Sequence, residues 1–347
     1  MTDNAPALTL THTLLSEADA LALLDGHRIS QGARTMDPKA QIVGEFVKSI
    51  RVPGYYPPLP ELRQQLRTMV TLMDEPAPPL ARIEDLAIPG PAGAIAARLY
   101  SSAVKGGPAR PVLAYFHGGG WVQGDLETHH GLCARLAERS GAIVVAVDYR
   151  LAPEHKFPAA VDDCLAAYRW LRAHAAELGG DSRRVGVAGD SAGGNLSAVV
   201  SQLAAAGGEA VPTCQVLIYP GLDFSLETPS HHELEDGHVI PRERILWYAA
   251  QYLRSDADRL DPRASPMCAK SLAGQPPAMV ITGGFDPLRD EGKLYADRLR
   301  AAGVDVVYRE YPGQIHAFVS LTKAIPEGLQ CTFQIGDYLR SRLDVVA

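Results

Sequence analysis

One sharp turn constrains this chain more than any other feature. Residues 184–188, Arg-Val-Gly-Val-Ala, read as a short apolar strand. Gly189-Asp190-Ser191-Ala192-Gly193-Gly194 follows at once, and then an Ala-rich helix over 192–206. A strand that reverses into a helix this abruptly crowds its own neighbours, so the flanking positions must be small. Gly189, Ala192, Gly193 and Gly194 meet that demand. The turn pushes the Ser191 hydroxyl away from the sheet and sets it at a helix N-terminus, where unpaired backbone N–H groups favour negative charge. A glycine-rich turn with a capping serine looks the same over five residues. The strand before and the helix after make Ser191 a candidate nucleophile.

This unit belongs to a longer alternation. Further strand candidates at 111–116, 142–147, 214–219, 278–282 and 304–310 are rich in Val and Ile and mostly unalternating, as strands covered on both faces are. Helices are expected at 131–140, 159–178 and 289–302, with a last one over 327–343. The pattern predicts an α/β fold with a mostly parallel central sheet and helices on both faces. Two more strands, 82–87 and 94–100, flank the turn Pro89-Gly90-Pro91.

The first 80 residues differ. Helical stretches at 16–26 and 60–73 are broken by Val52-Pro53-Gly54-Tyr55-Tyr56-Pro57-Pro58, and 76–79 reads as a linker. Residues 220–277 interrupt the rhythm, and a structureless loop of that length does not suit a compact domain. An inserted helical element is expected instead, with a helix around 242–253, packing on the N-terminal helices as a cap. The expected organisation is a helical cap region over 1–80 and a catalytic domain over 81–347, with a cap insertion at about 221–265.

His117-Gly118-Gly119-Gly120-Trp121 directly follows the strand at 111–116. An acyl-transfer enzyme must hold the oxyanion of a tetrahedral intermediate, and backbone N–H groups do this where side chains do not block the approach. Gly118 and Gly119 are the expected donors from this loop, and Ala192 N–H is the third. The run lacks the Gly-x-Gly-x-x-Gly spacing, and the Lys-Ser/Thr, of nucleotide-binding loops.

A serine hydroxyl needs a base, and the base needs orienting. In this arrangement the chain order is Ser, acid, His. His316 is the only histidine after His238, and it lies just past the last strand. Asp286, in Gly283-Gly284-Phe285-Asp286-Pro287, follows the strand at 278–282, where sites in open sheets gather. Asp290 competes with it, but falls in the first turn of the next helix, where an acid is favoured anyway.

Other features exclude function classes. Net charge is −7, and Lys and Arg are scattered, so the footprint of a nucleic-acid binder is missing. The longest strongly apolar run, 142–147, is far short of the roughly 20 residues that span a bilayer. Met1-Thr2-Asp3-Asn4 carries no basic n-region, so a secretory leader is not expected and the protein reads as cytoplasmic, without stable membrane association. The five cysteines are widely spaced and read as small buried apolar residues. His129-His130 and His231-His232 are adjacent pairs rather than the i, i+4 spacing of a helical metal site, so no metal is expected. Asp162-Asp163 reads as a surface or capping pair.

Taken together the motifs resemble the hormone-sensitive-lipase-like branch of the α/β-hydrolases, also called bacterial family IV esterases. The matching stretches are His117 to Trp121, Val147-Asp148-Tyr149-Arg150-Leu151-Ala152-Pro153-Glu154, Gly189 to Gly194 with Asn195, Asp286-Pro287-Leu288-Arg289-Asp290 and His316-Ala317-Phe318. They occur in the family's order from about Ala81 onward. The resemblance implies an α/β-hydrolase fold, a triad of Ser191, Asp286 and His316, and an oxyanion hole from Gly118, Gly119 and Ala192. His117, Gly120, Gly189 and Gly193 complete the supporting motifs. It further implies hydrolysis of carboxylic esters of short to medium acyl chains, without a cofactor. The Asp148 to Glu154 run is expected to hold the site's loops. Amide, formamide or acetyl hydrolysis on a specialised metabolite would use the same machinery. A non-catalytic small-molecule receptor would lack the histidine that is present here. Members of the family often dimerise, and the last strand with the C-terminal helix is the edge that would pair.

Overall fold

The computed structural model describes residues 8–343. The reading of Met1 to Asn4 lies outside them. The N-terminal segment holds α1 (Glu17–Leu24), a small hairpin of β1 (Ser30–Gln31) and β2 (Arg34–Thr35), α2 (Pro38–Ile50) and α3 (Leu59–Met73). α2 was not anticipated. Asp37 starts it, its carboxylate accepting from Lys39 N at 2.9 Å and Ala40 N at 3.0 Å, with Pro38 in the first turn.

The strands that follow are β3 (Arg82–Gly90), β4 (Gly93–Ser101), β5 (Arg110–Phe116), β6 (Ile143–Asp148), β7 (Gly180–Asp190), β8 (Gln215–Ile218), β9 (Ala278–Phe285) and β10 (Val306–Ile315). They form one eight-stranded sheet in the order β10-β9-β8-β7-β5-β6-β4-β3. The pairs from β6 through β10 are parallel, while β4 is antiparallel to both β3 and β6. The β3–β4 hairpin turns at Pro91-Ala92, because pairing continues through Pro89 opposite Ala94 to Gly90 opposite Gly93.

Between the strands run α4 (His130–Ser140), α5 (Ala159–Leu178), α6 (Ala192–Ala206), α7 (Pro229–Glu233), α8 (Arg242–Tyr252), α9 (Arg289–Ala301) and α10 (Glu327–Leu343). α4 and α10, joined by α2, bury Leu136, Leu339 and Val43 in one core. α5 and α6 bury Leu171 and Val199 in a second core, and α9 closes a third with Tyr295 and Leu299. Burial of both faces explains why residues 143–147 and 278–281 are uniformly apolar. Among the described residues, no helix is long and apolar enough to cross a membrane.

The inserted segment packs on the N-terminal one. The Tyr56 ring stacks on Trp247 of α8 at 4.5 Å, and the Arg244 guanidinium lies 4.6 Å from the Tyr56 centroid. Gly54 N–H donates to Glu243 at 2.8 Å, and Arg51 donates to the carbonyls of Asp236 and Gly237 at 3.1 and 2.9 Å. The N-terminal segment also reaches the last strand, where Asp37 N–H donates to Gly313 O at 2.9 Å and Arg34 pairs with Glu310. The far end of the edge expected for dimerisation is therefore covered by the chain itself.

Candidate active site

Three strand ends deliver the expected polar residues to one place. At the end of β7 the backbone of Ser191 takes φ 54° and ψ −115°, an unfavourable combination for a side chain with a Cβ. Its amide donates to Ile218 O at 2.8 Å, tying the turn to β8. The turn closes only because its glycines lack side chains. A Cβ on Gly193 would lie 1.8 Å from Phe116 O, and one on Gly189 would lie 2.3 Å from Gly193 O.

Asp286 follows β9 and is fully buried. Its Oδ1 accepts from Leu288 N at 2.9 Å, and its Oδ2 lies 2.7 Å from His316 Nδ1. A carboxylate can only accept, so Nδ1 carries the hydrogen and Nε2 is left as an acceptor. His316 Nε2 lies 3.0 Å from Ser191 Oγ, which can donate to it. The imidazole rests against the buried Tyr219 ring, centroids 4.6 Å apart. Asp290 takes no part: it lies in the first turn of α9, accepts from Ser230 N at 2.9 Å and pairs with Arg289.

The glycine loop departs from expectation at one residue. Gly118 N–H does not face the open side of Ser191. It donates to Oδ1 of Asp190 at 2.9 Å, inside the protein, so this expected oxyanion donor already has an acceptor. Among the described residues, no group accepts a hydrogen bond from the N–H of Gly119, Gly120 or Ala192. Gly120 and Ala192 line the cavity beside Ser191. Gly120 must be glycine, because at φ 62° a Cβ would lie 2.4 Å from the Tyr248 ring.

Asp190 organises the loop from below. It also accepts from Tyr115 Oη at 2.7 Å and pairs with His129 Nε2 at 3.1 Å. Burial pushes its pKa up, but the nearby His129 and the hydrogen bonds from His129 and Tyr115 prevail and hold it below the ordinary carboxylate range. Burial alone would lower His129, yet Asp190 raises it above its ordinary value. His129 was expected to be an unremarkable member of an adjacent pair. The sequence signal that could have singled it out is weak, because its partner lies 61 residues away.

The 148–154 run supports the same loop. Tyr149 Oη donates to His117 O at 2.8 Å, and its ring stacks on His117 at 4.3 Å. Burial drives the His117 pKa down to about 4, so its ring is neutral near pH 7, with Nδ1 2.8 Å from Gly118 O. Arg63 spans from Glu154, with contacts of 2.9 and 2.8 Å, to Val122 O at 2.9 Å. Arg150 makes a two-point pair with Asp163, both contacts 2.8 Å. This corrects the surface reading of Asp163, which is buried because it is the partner of Arg150.

An apolar cavity opens beside Ser191, lined by Gly120, Trp121 and Ala192 and by Leu226, Ile245 and Leu288. Trp121 is braced from behind by Tyr252, stacked at 4.5 Å.

A doubly wound sheet, a hydroxyl–imidazole–carboxylate chain at its strand ends and free amides beside the hydroxyl define a hydrolase of the serine type. A family model described as the alpha/beta hydrolase fold matches residues 113–320. The chain is 43% identical over 305 residues to the carboxylic ester hydrolase LipN of Mycobacterium tuberculosis, covering 85% of this chain and 80% of LipN. It is 41% identical over 236 residues to an ethyl acetate hydrolase of Pseudomonas putida, covering 68% and 74%. The solved structure of ester-hydrolase EH1AB1 from the metagenome of Lake Arreo, complexed with a bipyridine phosphonate derivative, superposes with a TM-score of 0.83 at 38% identity, covering 88% of this chain and 98% of that one. The chain belongs to the α/β-hydrolase fold family, in its hormone-sensitive-lipase-like esterase branch.

Proposed function

We propose that this carboxylic ester hydrolase acts on esters of short- to medium-chain acyl groups, through a Ser191–His316–Asp286 triad and an acyl-enzyme on Ser191. The observation that carries the reading is the pair of contacts on one imidazole, 2.7 Å to Asp286 and 3.0 Å to Ser191. Nε2 of His316 takes the hydroxyl proton as Ser191 Oγ attacks the ester carbonyl carbon. The carbonyl electron pair moves onto oxygen, which the N–H groups of Gly119, Gly120 and Ala192 hold. Asp286 fixes the tautomer and stabilises the imidazolium. The C–O bond to the alcohol breaks, and the departing oxygen takes the proton from Nε2. Water then repeats the sequence on the acyl-enzyme and releases the carboxylic acid.

The apolar cavity beside Ser191 supports an acyl chain of limited length, as does the ethyl acetate hydrolase among the relatives. In this reading the N-terminal 80 residues and the insertion at about 221–265 form the cap that closes it. No cofactor is needed. A cytoplasmic location is supported by the five free cysteines.

Treatment with a fluorophosphonate, followed by peptide mass spectrometry, tests the assignment. One adduct at Ser191, with loss of esterase activity in step, is expected. Full activity in an unlabelled protein, or an adduct elsewhere that tracks the loss, would remove Ser191 from the role.

A further inference from the structure

The cavity beside Ser191 is bounded by two glycines of different kinds. Gly120 is forced to be glycine by its backbone and by the Tyr248 ring. Gly221 is not. Its φ lies outside the positive range, and a Cβ there would meet only ordinary contacts: Leu288 Cδ1 at 3.8 Å, Trp121 Cη2 at 3.8 Å and Glu291 Oε1 at 3.9 Å. A glycine that its backbone does not require loses more conformational freedom on folding than alanine would. What the missing side chain leaves is space in the cavity.

The backbone around this space is held firmly. Gly221 N–H donates to Ser191 O at 3.3 Å, and Gly221 O accepts from Asn195 Nδ2 at 2.8 Å. The same Asn195 nitrogen donates to Ala264 O at 2.8 Å, and the next residue, Leu222, donates its N–H to Glu291. A side chain added at 221 therefore extends into the cavity rather than displacing the chain.

The site's geometry also says which part of an ester enters. The tetrahedral carbon on Ser191 Oγ carries the oxyanion, the alcohol oxygen and the acyl chain. The alcohol oxygen must face His316 Nε2 to receive its proton. The cavity is lined by Ser191, Gly120 and Ala192 and not by His316, so it lies on the acyl side. Its far walls are Leu226, Ile240, Ile245 and Leu288, while the carboxyl groups of Asp223 and Glu291 disfavour an anionic tail.

We propose that this cavity is the acyl pocket for uncharged chains, and that Gly221 is the residue that sets the length of chain admitted. The inference rests on the Ser191 acyl-enzyme of the preceding section. Gly221→Ala should shorten the preferred acyl chain, and Gly221→Val should shorten it further.

The test measures kcat/KM of the wild type and both variants on p-nitrophenyl esters from acetate to octanoate, and on acetate esters of alcohols from ethanol to hexanol. Titration with the fluorophosphonate counts intact sites in each preparation. In Gly221→Val the hexanoate-to-acetate ratio should fall by about tenfold or more, since one methylene in a hydrophobic pocket is worth about 10–200-fold. Gly221→Ala should move it in the same direction by less, and the alcohol series should keep its wild-type profile. An unchanged acyl profile in variants that still label at Ser191, or a shift in the alcohol series instead, overturns the pocket assignment and leaves the Ser191 reading standing. A wild type that does not label at Ser191 would fail the earlier reading instead. Should the valine variant not fold, the alanine variant, whose added methyl makes only ordinary contacts, decides the question.

Discussion

Asp190 accepts the amide hydrogen of Gly118 at 2.9 Å, joining the residue before the candidate nucleophile to the first glycine of the loop after β5. The two loops come from different strands, yet one carboxylate fixes their spacing. The same bond removes Gly118 from the set of amides free to meet an oxyanion.

Replacing that carboxylate should separate geometry from charge. Asp190→Ala leaves Gly118 N–H, Tyr115 Oη and the His129 ring without their acceptor, and breaking a buried pair costs about 3–5 kcal/mol. Asp190→Asn keeps an oxygen for Gly118 and should lose less, as measured by urea unfolding. Its pH dependence is the sharper test. His129, raised above its ordinary 6.5, stabilises the fold in full below that pH and loses the contribution as pH rises through its raised value. Asp190, held below 3.8, loses its contribution only as pH falls through its lowered value. The pair is thus worth most between pH 3.8 and 6.5, and the wild type's margin over Asp190→Asn should narrow from pH 6.5 upward. A margin that widens with pH would contradict the ion pair.

Asp148 should behave in the opposite sense to an ion-paired acid. Burial, together with the charge of nearby Asp125, raises its pKa to about 6. A carboxyl raised in the folded state contributes most favourably below its ordinary 3.8, and that contribution is lost as pH rises through about 6. Asp148→Asn should therefore gain Tm relative to wild type between pH 4 and pH 7.5. The side chain is 37% exposed, so solvent reduces the gain. Equal differences at both pH values would rule the account out.

The contacts between the insertion and the N-terminal segment predict a separation of binding from chemistry. A Cβ on Gly44 of α2 would lie 2.7 Å from His238 Cβ, in the inserted segment. Gly44→Val should loosen the docking of the insertion on α2 and raise KM for p-nitrophenyl butanoate more than it lowers kcat. A variant with wild-type KM would detach α2 from pocket closure.

Arg289 ties the Asp286 turn to the insertion. It donates to Gly284 O at 3.0 Å, to Asp290 at 2.7 Å and to Glu233 of α7 at 3.0 Å. Arg289→Met removes the buried hydrogen bond to the Gly284 carbonyl, an expected loss of about 1–3 kcal/mol with a fall in kcat as Asp286 is less well held. Glu233→Ala, at an exposed partner, should cost under about 1 kcal/mol. Thermal unfolding of the two variants checks the order.

The parallel strands and their helices were legible because burial on both faces writes uniform apolar runs, and because the turn at Ser191 tolerates few residues. Asp286 and His316 followed from chain order and strand ends. The rest depended on contacts that sequence does not encode locally. α2 was missed although Asp37-Pro38 is a helix start, since a buried face formed with β10 and the insertion outweighs its internal glycine. Three successive glycines do not say which amide faces the oxyanion. Asp190, 72 residues from Gly118, takes the first of those amides. Asp163 reads as a surface residue in the sequence, yet Arg150 pairs with it in the protein interior.

The central claim is that Ser191 carries the acyl group. The most direct measurement is kcat for p-nitrophenyl butanoate in Ser191→Ala against wild type, with folding checked by thermal unfolding. Loss of a triad nucleophile lowers kcat by about 10⁶-fold, and a fall of at least about 10⁴-fold is expected here. A folded Ser191→Ala protein that keeps kcat within about tenfold of wild type, a difference of only about 1.4 kcal/mol in the barrier, would contradict the account.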